Sequence, residues 1–199
     1  QVESVEAMVS SGVDVSATDK DGHTAIDLAW MMGKHKVVDW LQTNTNCRSL
    51  LKDLTSAVVK GDQGEVVAAL KAGVDASVVL PEYRGYCDMN LISIAAMEDQ
   101  AEVIDILQRA GACIDHRNAN GESALHIAAQ CGSSQVLRNL LAHGLDVEAV
   151  SAYGWTSLHN AAHHGHSPCV KLLLEMNAFP DAQDWDQLTP LMLAAQQDQ

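Results

Sequence analysis

A step of about 33 residues governs this chain. Residues 119–132 read Ala-Asn-Gly-Glu-Ser-Ala-Leu-His-Ile-Ala-Ala-Gln-Cys-Gly, and residues 152–165 read Ala-Tyr-Gly-Trp-Thr-Ser-Leu-His-Asn-Ala-Ala-His-His-Gly. The same step separates Gly121 from Gly154, Ser123 from Thr156, and His126 from His159. Several spacings repeating together mark an array of short structural units. Such a chain cannot close around one central core. Each unit leaves an apolar face that only a neighbouring unit can cover, so the core becomes a continuous ribbon.

Within one unit the residues predict two helices. Ser123 is placed to cap the first, with its hydroxyl accepting a free backbone N–H of the opening turn. Thr24, Thr156 and Thr189 hold the same place, as does Asn90, and Pro190 follows Thr189 where proline costs a helix nothing. Leu125 and Ala128 share one helical face. A second helix from about Gln135 should bury Val136, Leu137, Leu140 and Leu141, and Gly144 ends it in a left-handed cap. Five residues past each cap stand Ala29, Ala95, Ala128, Ala161 and Ala194, small enough to let helices approach closely. Ala57 joins this set if Lys52 takes the cap position.

The pattern Gly-x-Thr-x-Leu-His-x-Ala-Ala-x-x-Gly, read at Gly121 and Gly154, resembles the ankyrin repeat family over nearly the whole chain. The resemblance implies an all-α solenoid of stacked helix-turn-helix units with short hairpin loops. It also implies a non-enzymatic scaffold or adaptor that captures a partner protein or peptide on a concave face. The expected layout is one array over 1–199. It has a partial first unit at 1–20, units at about 21–46, 47–84, 85–117, 118–150 and 151–183, and a partial last unit at 184–199. Incomplete units at both ends imply a piece of something longer. Unit three departs from the pattern: about five residues are missing before it, near Thr43–Cys47, and about five are added after it, in the loop Val78–Met89. Either two ankyrin blocks meet near Asn46, or one array contains a pinched unit. The 66 residues from Thr24 to Asn90, two full steps, favour the single array.

Composition narrows the class. The formal net charge of −14 repels nucleic acid backbones and anionic membranes and favours a basic or neutral protein partner. No apolar run approaches the ~20 residues of a membrane span. The first residues do not read as a signal peptide. Five cysteines are odd in number, scattered, and form no Cys-x-x-Cys pair, which argues against a disulfide framework or zinc site. A reducing compartment, cytosol or nucleus, fits such usage.

Four places could carry chemistry or recognition. His159 and His163 lie four apart on one helix, a spacing that could hold zinc, but no further ligand completes a set. His159 and His166 also fall on family consensus positions where histidine bonds within and between units, so the structural reading is preferred there and at His126. Asp115, Glu148 and Asp181 share one register and form an acidic rung, most simply a solvated face. No nucleophile elbow, phosphate loop or paired-carboxylate motif appears, so no catalytic residue, metal or cofactor is expected. The hairpin tips and first-helix ends remain. Carried over from the family by position, the partner-binding candidates are Tyr86, Met89, Glu122, Tyr153, Trp155, His163, His164, Trp185, Asp186 and Leu188. Two of the four tryptophans fall on these tips, where polar residues are usual, which marks a contact surface. The alternative is that each ring packs over its neighbour's hairpin. A second functional reading makes the array the recognition arm of a larger ligase, kinase or hydrolase whose catalytic domain lies outside these residues.

Overall fold

Short amphipathic stretches separated by glycine or by left-handed polar residues leave each helix with one apolar face to cover. A computed structural model shows how they do it. It describes residues 4, 5, 8, 20 and 25–197, without the side chains at 26, 27, 30, 38, 39 and 42–49. The expected partial unit at 1–20 and the Thr24 cap therefore lie almost wholly outside the described residues. The chain divides into two compact units, Gln1–Asp53 and Leu54–Gln199.

In the first unit lie α1 (Ala25–Met31) and the beginning of α2 (His35–Lys60). Ala29 and Leu41 are buried, whereas Met31 and Met32 are exposed. Residues 43–47 are helical, so no hairpin stands between the expected second and third units. Lys52 is not a cap: it sits inside α2 and is exposed. The reason is visible in the residues, since no glycine or proline interrupts the chain between Gly33 and Gly61.

The second unit begins with the end of α2, whose Leu54, Ala57 and Val58 enter the core. It continues through α3 (Gln63–Lys71), β1 (Val79–Tyr83), β2 (Tyr86–Asn90), α4 (Leu91–Met97), α5 (Ala101–Arg109), α6 (Ala124–Cys131), α7 (Ser134–Ala142), α8 (Ser157–His163), α9 (Ser167–Glu175) and α10 (Pro190–Gln196). The helices α4, α6, α8 and α10 stack in sequence as one layer, and α3, α5, α7 and α9 stack as a second. Within each repeat the two layers meet, α4 on α5, α6 on α7 and α8 on α9. The core of the stack is mainly apolar, with Ile92, Ile94, Leu107, Leu125, Ile127, Leu137, Leu140 and Leu173 all buried. Each such side chain contributes roughly 1.5–3 kcal/mol of transfer free energy. Ala95, Ala128 and Ala161 are buried as the five-past-the-cap rule requires.

The loop Val78–Met89 is more ordered than expected. β1 and β2 pair antiparallel, with Tyr83 opposite Tyr86, and the two residues between them, Arg84 and Gly85, both take positive φ. That is a type I′ turn, whose twist matches a two-residue hairpin. Arg84 lies over the Tyr83 ring and pairs with Glu98, which also accepts from the Tyr83 hydroxyl. Asn177 ends α9 with φ of 65°, the left-handed role glycine fills elsewhere.

From α4 onward the first-layer caps fall where the register places them, at Asn90, Ser123, Thr156 and Thr189. Asn90 Oδ1 accepts from Ser93 N at 2.9 Å, and its Nδ2 donates to the Cys113 carbonyl at 2.6 Å. One side chain thus starts α4 and holds the loop after α5. Asn90→Ala is expected to cost about 1–2 kcal/mol in urea denaturation, with Asn90→Ser restoring the cap portion of that loss. Equal stability of the alanine variant and wild type would show that neither bond matters.

Candidate functional site

Three hairpin tips stand beside the first-layer helices, and each is built around one small acceptor. Asn118 Oδ1 accepts from Asn120 N and Glu122 N. Ser151 Oγ accepts from Tyr153 N and Trp155 N. Asp184 Oδ1 accepts from Asp186 N and Leu188 N. A further bond closes each tip, from Asn118 N to Glu122 O, Ser151 N to Trp155 O and Asp184 N to Leu188 O. Asn118, Ser151 and Asp184 are 33 residues apart and all buried. Nothing in the sequence alone singles them out, although the same step that picks out the caps passes through them.

The tips are also tied to one another. Ala119 N donates to Cys87 O, Ala152 N to Asn120 O and Trp185 N to Tyr153 O. Two histidines reinforce the ties from below. His126 Nδ1 accepts from Ser123 N, closing a capping box with histidine where Glu or Gln is usual. The tautomer follows: the proton sits on Nε2, which donates to the Trp155 carbonyl at 3.0 Å. His159 repeats the arrangement, with Nδ1 accepting from Thr156 N and Nε2 donating to the Leu188 carbonyl. Burial pushes the pKa of His126 down to about 4 and that of His159 down, keeping both imidazoles neutral. Both nitrogens of His159 are committed, so the pair with His163 is not a zinc ligand set. Among the described residues no group of three or more His, Cys, Asp or Glu could hold a metal ion.

Between the tips and the ends of α6 and α8 lies a groove of about 660 Å³. It brings together seven of the ten residues expected to contact a partner: Glu122, Tyr153, Trp155, His163, His164, Trp185 and Asp186. Tyr153 is 62% exposed and Trp185 68%. Trp185 is nonetheless anchored, because its Nε1 donates to the Ala152 carbonyl at 2.9 Å and its ring covers Gly154. A Cβ at Gly154 would stand 2.7 Å from Trp185 Cδ2. The alternative reading of that ring, packing on the neighbouring hairpin, thus describes one face, and the other is open. Trp155 is half-buried, donates from Nε1 to Asp184 Oδ2 at 2.9 Å and meets the His163 ring edge-on at 5.1 Å. Burial and the adjacent His164 lower the pKa of His163.

Three expected contact residues lie elsewhere. Leu188 is half-buried, and its carbonyl serves His159. Tyr86 is half-buried, and burial, then the charge of Glu122, raises its hydroxyl pKa. Met89 is a correction: it is 0% exposed and belongs to the core. Asp88 before it takes φ of 58°, which breaks the in-out alternation of β2, and the thioether turns inward where burial favours it. The acidic rung has a structural member, since Glu148 Oε1 accepts from Phe179 N of the next repeat.

With two stacked helix layers and the tied tips in place, comparison with known families is decisive. The model described as ankyrin repeats (3 copies) matches residues 54–151 and 136–199, and that described as ankyrin repeats (many copies) matches residues 1–42. The chain belongs to the ankyrin repeat family. Curated proteins yield no match to it. Ankyrin repeats are generally non-catalytic modules of protein–protein interaction, and they bind protein partners. Among the described residues of this ankyrin chain, no helix is long and apolar enough to cross a membrane.

Proposed function

We propose that this ankyrin chain captures a segment of a partner protein in the groove lined by Tyr153, Trp155, Trp185, His163, His164, Glu122 and Asp186. The observation that carries the reading is the exposure of Tyr153 and Trp185 on tips whose backbones are bonded to one another. Exposed rings on a stiff support lose little freedom on binding, so their burial goes into affinity. Among the described residues the groove carries two carboxylates and no lysine or arginine, which favours a basic or neutral segment over nucleic acid or an anionic membrane.

Tyr153→Ala and Asp186→Ala test this without disturbing the tips, since neither side chain braces another part of the fold. A partner recovered by affinity capture and identified should lose about 2 kcal/mol or more of affinity with Tyr153→Ala. Asp186→Ala should mainly slow its association, an effect that fades with salt. Leu191→Ala, on an exposed residue away from the groove, should leave binding unchanged. A partner indifferent to Tyr153→Ala and lost with Leu191→Ala would place the site elsewhere.

A further inference from the structure

We propose that the groove recognises an arginine side chain, its guanidinium stacked on the open indole face and paired with Asp186; this rests on the groove being the partner site. The groups that the groove leaves unused point to that ligand. Both indole donors are spent inside the protein, Trp155 Nε1 on Asp184 Oδ2 and Trp185 Nε1 on the Ala152 carbonyl. The rings therefore offer a ligand only their π faces and edges.

Most of the free polar groups are acceptors, while the Tyr153 hydroxyl and the His163 ring can also donate. Gln130 Oε1 is buried at the groove wall with no hydrogen-bond partner. Glu122 commits one carboxylate oxygen to Asn118 Nδ2, and among the described residues the other takes no donor. The Asp186 carboxylate is exposed and likewise takes none, because the tip's backbone donors go to Asp184. Among the described residues no lysine or arginine lines the groove to compete for these oxygens. His163 Nδ1 is also buried without a partner.

A ligand that satisfies this set must bring several donors, positive charge and a flat face. The guanidinium has five N–H donors, no acceptor, a permanent charge and a plane that stacks on indole. An ammonium is compact and strongly hydrated, with three donors and no face, so it would leave the ring edge and the Gln130 oxygen poorly served. Carboxylate or phosphate ligands meet two like charges and no cation. A neutral apolar side chain would bury the carboxylates without partners and leave the Gln130 oxygen unpaired, which is costly.

Three acetylated and amidated tripeptides test the assignment: Gly-Arg-Gly, Gly-citrulline-Gly and Gly-Lys-Gly. Citrulline keeps the shape of arginine and removes the charge. Binding to the whole chain is followed by the NMR shifts of the Trp155 and Trp185 indole N–H groups. The arginine peptide should give saturable shifts at both indoles, with the citrulline peptide about tenfold weaker and the lysine peptide several-fold weaker. Asp186→Asn should weaken the arginine peptide about fivefold to tenfold and leave the citrulline peptide unchanged. Equal binding of the citrulline or lysine peptide would overturn the guanidinium while leaving the groove as a partner site. An arginine peptide that gives no saturation at ~10 mM would overturn it in the same way. The groove itself fails only in the partner-capture experiment above, so the two failures are distinguishable.

Discussion

His126→Ala should destabilise the protein by at least about 3 kcal/mol in chemical denaturation. The residue is fully buried and joins two repeats. Its Nδ1 accepts from Ser123 N at 3.3 Å and sits 2.8 Å from Ser123 Oγ, while Nε2 donates to the Trp155 carbonyl at 3.0 Å. Alanine leaves the buried Ser123 N–H unpaired, which costs about 1–3 kcal/mol, takes away one of the two donors to the Trp155 carbonyl, and opens a cavity. His126→Gln should recover part of the loss. Glutamine is a usual third residue of a capping box and can accept from Ser123 N, but it lacks the fixed ring that reaches Trp155. His143→Ala makes the contrast, because His143 contacts Asp105 at an exposed site and its removal should cost about 1 kcal/mol or less. Equal losses at His126 and His143 would show that the ties between repeats carry little of the stability.

The place of His126 is legible in the sequence because the 33-residue step aligns it with His159. The same step puts Tyr153, Trp155 and Trp185 on tips and Ala128 and Ala161 at the helix contact. What the step does not encode is rotation about the chain. Met89 shares the register of Glu122 and Trp155, yet the positive φ at Asp88 turns it into the core. Nor does it encode a merger of elements. Counting residues makes Lys52 a cap, although the residues from Lys34 to Lys60 include no helix breaker and α2 runs through them. The double role of Trp185 is out of reach for another reason. Its ring lies against Gly154, one repeat away, and only the spacing between repeats shows that a side chain there would collide with it. Asn118, Ser151 and Asp184 are the opposite case. They keep the 33-residue register, but small polar residues before a tip are ordinary turn formers. Only their bonds set them apart.

Acid should loosen this array well before its carboxylates titrate. Burial holds the His126 imidazole at a pKa of about 4, against 6.5 for the group in an open chain, and the bond to the Trp155 carbonyl only partly opposes that. A base whose pKa folding depresses is neutral in the folded chain and protonated in the unfolded one across that interval. Above pH 6.5 both states hold the neutral ring, and stability is at its full value. As pH falls from 6.5 toward 4 the unfolded chain binds a proton that the folded chain refuses, and stability is lost, roughly 3 kcal/mol from His126 alone. His159 and His163, both lowered chiefly by burial, add losses of the same sign. Asp105, lowered chiefly by its bond to His143, contributes in the more acid range near and below its ordinary value of 3.8. Once His126 protonates, Nδ1 can no longer accept from Ser123 N, so the cap of α6 and the tie to the Trp155 tip are strained together. Urea midpoints measured from pH 7.5 down to about 4 should fall continuously below 6.5, with the slope markedly reduced in His126→Gln. Trp155 emission of the folded protein should shift only as pH nears 4, where the folded His126 itself takes up the proton and loosens its hold on the Trp155 carbonyl. A flat stability profile across that interval, or identical slopes in wild type and His126→Gln, would mean that this imidazole is not the group that folding keeps neutral.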